Sequence, residues 1–219
     1  LLLFFKKEGL SPRMNCTRFW LIRHAIVDDA SRAFLYGRMD VPVSIEALEA
    51  HAGRYRALAA RLPADATWLI TPLQRTRRTA EAILRCGLPP LDLMEEPGLT
   101  EQDLGQWQGL PHADLPVLLA DPAHPFWPLG GAEVPPGGES MEQVLVRVGE
   151  TLERLAVEYP ARDLVCISHG GTIRAAVAHA AGIKASPALH FTVQNLSLTV
   201  IERYETGWRV VLVNEGAEI

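Results

Sequence analysis

Arg18-Phe19-Trp20-Leu21-Ile22-Arg23-His24 is the stretch from which the fold can be read. Four large apolar residues in a row, two of them aromatic and one β-branched, predict a strand buried on both faces, as in a parallel sheet. Arg23 and His24 then stand where that strand leaves the sheet. In open α/β sheets this carboxyl end is where ligands bind. Two later runs repeat the event. Thr67-Trp68-Leu69-Ile70 ends at Thr71-Pro72, and the run 163–168 ends at His169-Gly170-Gly171.

Between these strands the apolar spacing changes to three or four residues. Ser44 predicts the N-cap of a helix with Ile45, Leu48, Ala52, Tyr55, Ala59 and Leu62 on its apolar face, stopped by Pro63. Thr71 with Pro72 reads as an N-cap and first helical residue, for a helix closing at Gly87. Ser140 and Gln143 form a capping-box pair for a long helix over 141–159, and the helix after His169 ends near Gly182. A closing hairpin is expected from 197–203 and 208–213. Alternation of strands and helices predicts an α/β fold: a doubly wound, mostly parallel sheet with helices on both faces, a three-layer sandwich. From Pro122 to Gly138, Pro and Gly are too frequent for regular structure, and a loop of that length reads as a lid or binding loop.

The chain has 219 residues, 48% hydrophobic and 21% charged, which suits one α/β domain with a full core. A net charge of −5 argues against nucleic-acid and membrane-surface partners. Cys16, Cys86 and Cys166 are odd in number and widely spaced, so they read as reduced thiols of a cytoplasmic protein. Residues 1–13 are expected to be a non-native or peripheral N-terminal extension, and 14–219 a single domain. A homodimer stays open.

Three strand exits deliver Arg23-His24, Arg75 and His169. Arg75 falls in the first turn of its helix, where free N–H groups and the helix dipole favour an anion. Two Arg, two His and a helix N-terminus suit a phosphoryl group, whose transfer needs positioning and charge neutralisation. An imidazole can be the nucleophile itself. A carboxylic acid must protonate the leaving oxygen, and Glu101 is the best-placed candidate.

The same residues carry a family resemblance. Leu21-Ile22-Arg23-His24-Ala25 resembles the Arg-His-Gly signature of the histidine phosphatase superfamily, the phosphoglycerate-mutase-like enzymes. Residues 36–44, YGRMDVPVS, are similar to its G-x-x-D-x-P-L-T segment, and 71–80, TPLQRTRRTA, to its S-P-L-x-R-A-x-x-T-A helix start. Glu101 with Gly105-Gln106-Trp107-Gln108-Gly109, then Pro136-Gly137-Gly138-Glu139-Ser140 and Ser168-His169-Gly170-Gly171-Thr172-Ile173-Arg174, complete the ordered set.

The resemblance implies a phosphoglycerate-mutase-like fold, with His24 as phosphorylated nucleophile and Glu101 as proton donor. Arg23, Arg75 and His169 would bind the phosphoryl group, and Gly170 and Arg38 join the phosphate and substrate contacts. Arg174 is left open as a rim residue. No cofactor and no metal are implied; the partner is a small phosphomonoester.

Ala25 replaces a Gly and Gln108 a Glu, while Val27 and Ala30 stand where many members place polar substrate contacts. Gly170 after His169 is a poor match to the acid phosphatase and phytase branch. The compact segment between Gly109 and Ser140 favours the phosphatase side, including α-ribazole-phosphatase-like enzymes. The alternative is a phosphoglycerate mutase. From other classes come a catalytically silent phosphate- or partner-binding relative, and a metallohydrolase using His24, Asp28, Glu101 and His169.

Overall fold

A computed structural model describes residues 15–89 and 91–216 of the protein. The expected extension, 1–13, lies outside the described residues. The strands are β1 (Thr17–Arg23), β2 (Thr67–Ile70), β3 (Leu93–Glu95), β4 (Asp163–Ser168), β5 (Leu198–Tyr204) and β6 (Gly207–Glu215). They form one sheet in the order β3-β2-β4-β1-β5-β6. β1, β2, β3 and β4 are parallel, and β5 runs against β1 and is joined by a hairpin to β6. The helices are α1 (Asp29–Arg32), α2 (Ile45–Ala50), α3 (Ala52–Ala59), α4 (Gln74–Leu84), α5 (Met141–Glu158), α6 (Gly170–Ala181) and α7 (Ala185–Ala188).

The β1 run reads as expected because both its faces are covered. Phe19 and Leu21 pack with Val144, Val148 and Leu152 of α5 and Ile173 of α6. Ile22, one residue out of step, packs on the other face with Tyr55 and Leu58 of α3 and Ile83 of α4. Each such side chain, 2% exposed or less, stabilises the fold by about 1.5–3 kcal/mol. α6 is buried from Gly170 to Ala178, so its sequence is apolar on every side rather than striped. The capping box at Ser140 and Gln143 is present, and Gly182 ends α6 in the left-handed conformation.

Two local expectations are corrected. The single helix over 45–62 is two, broken at His51, and Ile45 is 73% exposed rather than part of an apolar face. α4 begins at Gln74 with no side-chain cap from Thr71. Asp40, 34 residues upstream, instead accepts from the Gln74 N–H at 2.7 Å. This satisfies one orphan donor of the helix end from a neighbouring loop. Residues His112–Val117 form a 3₁₀ helix that contains Pro116. Cys16, Cys86 and Cys166 are free. Among the described residues no helix is long and apolar enough to cross a membrane.

Candidate active site

Strand register creates the site. Arg23 of β1 stands opposite Ser168 of β4, so the next residues, His24 and His169, leave the sheet side by side. The His24 N–H donates to the Ser168 carbonyl at 2.9 Å. The two imidazole centroids are 5.2 Å apart, and both residues are 1% exposed or less. β2 joins them through Thr71, whose hydroxyl is 3.0 Å from His169 Nε2.

His24 Nδ1 lies 2.7 Å from the Ala25 carbonyl oxygen. A carbonyl only accepts, so Nδ1 carries the proton and Nε2 keeps its lone pair. The peptide that bears the ring is held from both sides. Asn195 Nδ2 donates to the His24 carbonyl at 2.8 Å, and the Ala25 N–H donates to Thr79 Oγ1 at 2.8 Å.

Arg75 is fully buried. Its two terminal nitrogens donate to the Met39 and Gly37 carbonyls at 2.7 Å, and its guanidinium lies 5.3 Å from the Tyr36 ring centre. Segment 36–40 is therefore the cradle of Arg75. Arg23 donates to the Val193 carbonyl at 2.6 Å. Arg23 Nε, Arg75 Nε and His169 Nδ1 are buried and have no hydrogen-bond partner in the protein. Buried polar atoms are rarely left so; three from neighbouring residues suit the oxygens of one anion.

Glu101 reaches the same point from an irregular loop. Its carboxylate accepts from the Gly171 N–H at 3.1 Å, the Thr172 N–H at 3.3 Å and the Gln102 N–H at 3.0 Å, which seats it on the N-terminus of α6. The paired glycines leave room for this arrangement. A methyl on Gly171 would lie 2.5 Å from Glu101 Oε1, and one on Gly170 would lie 3.2 Å from Arg174 Nη1 and 3.4 Å from Arg23 Cζ.

Arg38 does not present a free guanidinium. It donates to the Glu101 carbonyl at 3.0 Å and to Glu139 at 3.1 Å, and stands 3.5 Å from Asp103. Glu139 also takes a two-pronged contact from Arg147, at 2.8 and 3.0 Å, while Arg147 Nη1 donates to the Gly98 and Thr100 carbonyls. Burial opposes the Glu139 charge, but Arg147, the Asp103 N–H and Arg38 together outweigh it and hold the carboxyl below its ordinary range. Arg38, Glu139 and Arg147 thus brace the chain on both sides of Glu101.

Sequence reading underrated three residues. Arg174 is 7% exposed and lies 4.7 Å from the Trp127 ring centre. It donates to the Gly170 and Phe191 carbonyls, and burial, then Arg23, pushes its pKa down to about 10. Its spacing of four from Gly170 on a helix start was the available signal. Thr71 sits at a strand exit, which was a weaker one, and nothing local pointed to Asn195. Val27 is buried and pairs with Val43, and Ala30 is exposed on α1. Asp28 caps α1 through Ser31, and among the described residues no three His, Cys, Asp or Glu side chains are grouped as a metal site. A larger hollow, of about 600 Å³, lies between α2–α3 and α4 and contains none of the converging residues. Size alone does not mark the site.

Burial, aided by the Arg75 and Arg23 charges, holds both imidazoles well below the ordinary histidine value. The folded site therefore refuses protons that an unfolded chain accepts once pH drops below about 6.5. Stability is present above that value and falls as pH drops, by up to about 1.4 kcal/mol per pH unit for each ring. The melting temperature should decline between pH 7 and pH 5, with a shallower slope in the double variant His24→Asn, His169→Asn. Equal slopes would show that the folded rings take up protons as readily as those of the unfolded chain.

Residues 19–216 match the family model of the histidine phosphatase superfamily (branch 1). A bifunctional protein of Mycobacterium tuberculosis is 30% identical over 201 residues, covering 91% of this chain and 54% of that protein. The chain therefore spans about half the length of this mycobacterial relative. The adenosylcobalamin/alpha-ribazole phosphatase of Escherichia coli is 25% identical over 176 residues, covering 80% of this chain and 85% of the enzyme. The solved structure of a mycobacterial glucosyl-3-phosphoglycerate phosphatase shares the fold, with a TM-score of 0.77 at 24% identity, covering 92% of this chain and all of that one.

Proposed function

The chain belongs to the histidine phosphatase superfamily, and from that premise we propose that it hydrolyses small phosphorylated metabolites through a phosphohistidine at His24, without a metal. The observation that carries this reading is the set of orphaned donors on Arg23, Arg75 and His169 around an imidazole whose Nε2 is free to attack. Fixed cations aimed at a phosphoryl group supply the charge neutralisation that the transfer needs. The phosphatase names among the relatives support hydrolysis and a phosphorylated metabolite as substrate.

The steps follow from the atoms. Arg23 Nε, Arg75 Nε and His169 donate to the non-bridging phosphoryl oxygens. The His24 Nε2 lone pair forms the N–P bond while the ester P–O bond breaks, and Glu101 gives its proton to the departing alcohol oxygen. Water then attacks phosphorus, its proton passes to Glu101, the N–P bond breaks, and its electron pair returns to Nε2. Inorganic phosphate leaves. Arg38 acts through Glu139 and the Glu101 carbonyl, as a positioning residue.

Hydrolysis of an aryl phosphate should survive EDTA, and 2- and 3-phosphoglycerate should interconvert more slowly than phosphate is released, with no stimulation by 2,3-bisphosphoglycerate. Isomerisation that outruns phosphate release would identify a mutase. Loss of activity on chelation, restored by one divalent ion, would overturn metal independence.

A further inference from the structure

Two hollows share Arg23, the residue before His24, and one is more apolar than the other. One hollow, of about 510 Å³, is mixed, with Arg23, Arg174 and Asn195 beside Phe126, Phe191 and Val193. The other, of about 340 Å³, has Arg23 and Glu101 at one end and Phe34, Tyr36, Leu104 and Trp127 as walls. Glu101 lines the second alone. A proton donor must face the oxygen it protonates, so the alcohol departs into that hollow.

Its walls are held in place by the site's own cations. Tyr36 lies against Arg75, and Trp127 is stacked by Arg174, with its Nε1 donating to Gln102 Oε1 at 3.3 Å. Two of its polar side chains are engaged by the protein itself, which leaves His112 and the Tyr36 hydroxyl among its lining. Gln102 Nε2 donates to the Glu139 carbonyl at 2.7 Å, and Arg32 pairs with Asp29. A polyhydroxy alcohol placed against the apolar walls would regain only part of the hydrogen bonds it gives up to water, at roughly tenfold in affinity for each one lost. An aromatic or branched apolar body would gain by leaving water.

We propose that this hollow is the leaving-group subsite, and that it selects monoesters whose alcohol carries a compact aromatic or branched apolar body over esters of polyols and hydroxy acids. The selection rests on the phosphohistidine hydrolysis described above. The test compares kcat/KM for cyclohexylmethyl phosphate and glycerol 3-phosphate, which both release a primary alkoxide. The apolar ester should lead by at least about tenfold. Phe34→Ala should reduce that ratio, with the glycerol ester as internal reference. In the unaltered protein, cyclohexylmethanol should inhibit competitively at far lower concentration than glycerol.

Equal kcat/KM for the two esters, with label still trapped on His24, would overturn the subsite and leave hydrolysis standing. Equal inhibition by the two alcohols would overturn it as well. If neither ester nor an aryl phosphate is turned over, the hydrolase reading fails and the subsite with it.

Discussion

His24→Ala should abolish phosphate release, by about 10⁴–10⁶-fold in kcat, the range expected when a covalent nucleophile is deleted. No neighbour can replace it. His169, the other imidazole at the strand ends, has its Nε2 against Thr71 and a ring centre 5.2 Å away. Acid-quenched protein given a labelled monoester should carry acid-labile, base-stable label, and the variant none. The backbone bonds of His24 to Ser168 and Asn195 do not involve the ring and should persist in the variant. Label retained in the variant would move the nucleophile elsewhere.

Glu101→Gln should cost about 10²–10⁴-fold with alkyl esters and far less with a nitrophenyl ester in the phosphorylation step. An aryl oxide leaves without a proton; an alkoxide does not. The amide remains similar in shape, so the seat on the Gly171 and Thr172 N–H groups is the best available for a neutral replacement. Single-turnover phosphorylation isolates this step from hydrolysis of the phosphohistidine, in which Glu101 takes a proton from water. Equal losses for both esters would assign the acid role to another group, with Asp103 the next candidate.

Much of the fold was legible because burial on both faces leaves a local mark. The apolar runs of β1, β2 and β4 can be read without knowing which strand neighbours which, and so can the Ser140 and Gln143 capping box. The exits of these strands follow directly, and with them Arg23, His24 and His169. Thr71 and Pro72 looked like a helix start because the pattern of residue types was right. The Thr71 hydroxyl instead faces His169 and Thr76, and Asp40 serves the helix end.

Sequence by itself determined the layers of this protein, the strand ends that converge on the candidate site and the residue types gathered there. Tertiary structure decided which side chain meets which. The β3-β2-β4-β1-β5-β6 order brings Thr71 to His169, and the loop after Leu99 seats Glu101 on α6. It also engages Arg38 with Glu139 and buries Arg174 under Trp127. The physical reason is range. Periodicity and caps reflect interactions within a turn or two of chain, whereas the partners of a buried charge come from segments tens of residues away. Burial makes those partners obligatory, and only register and sheet order choose them.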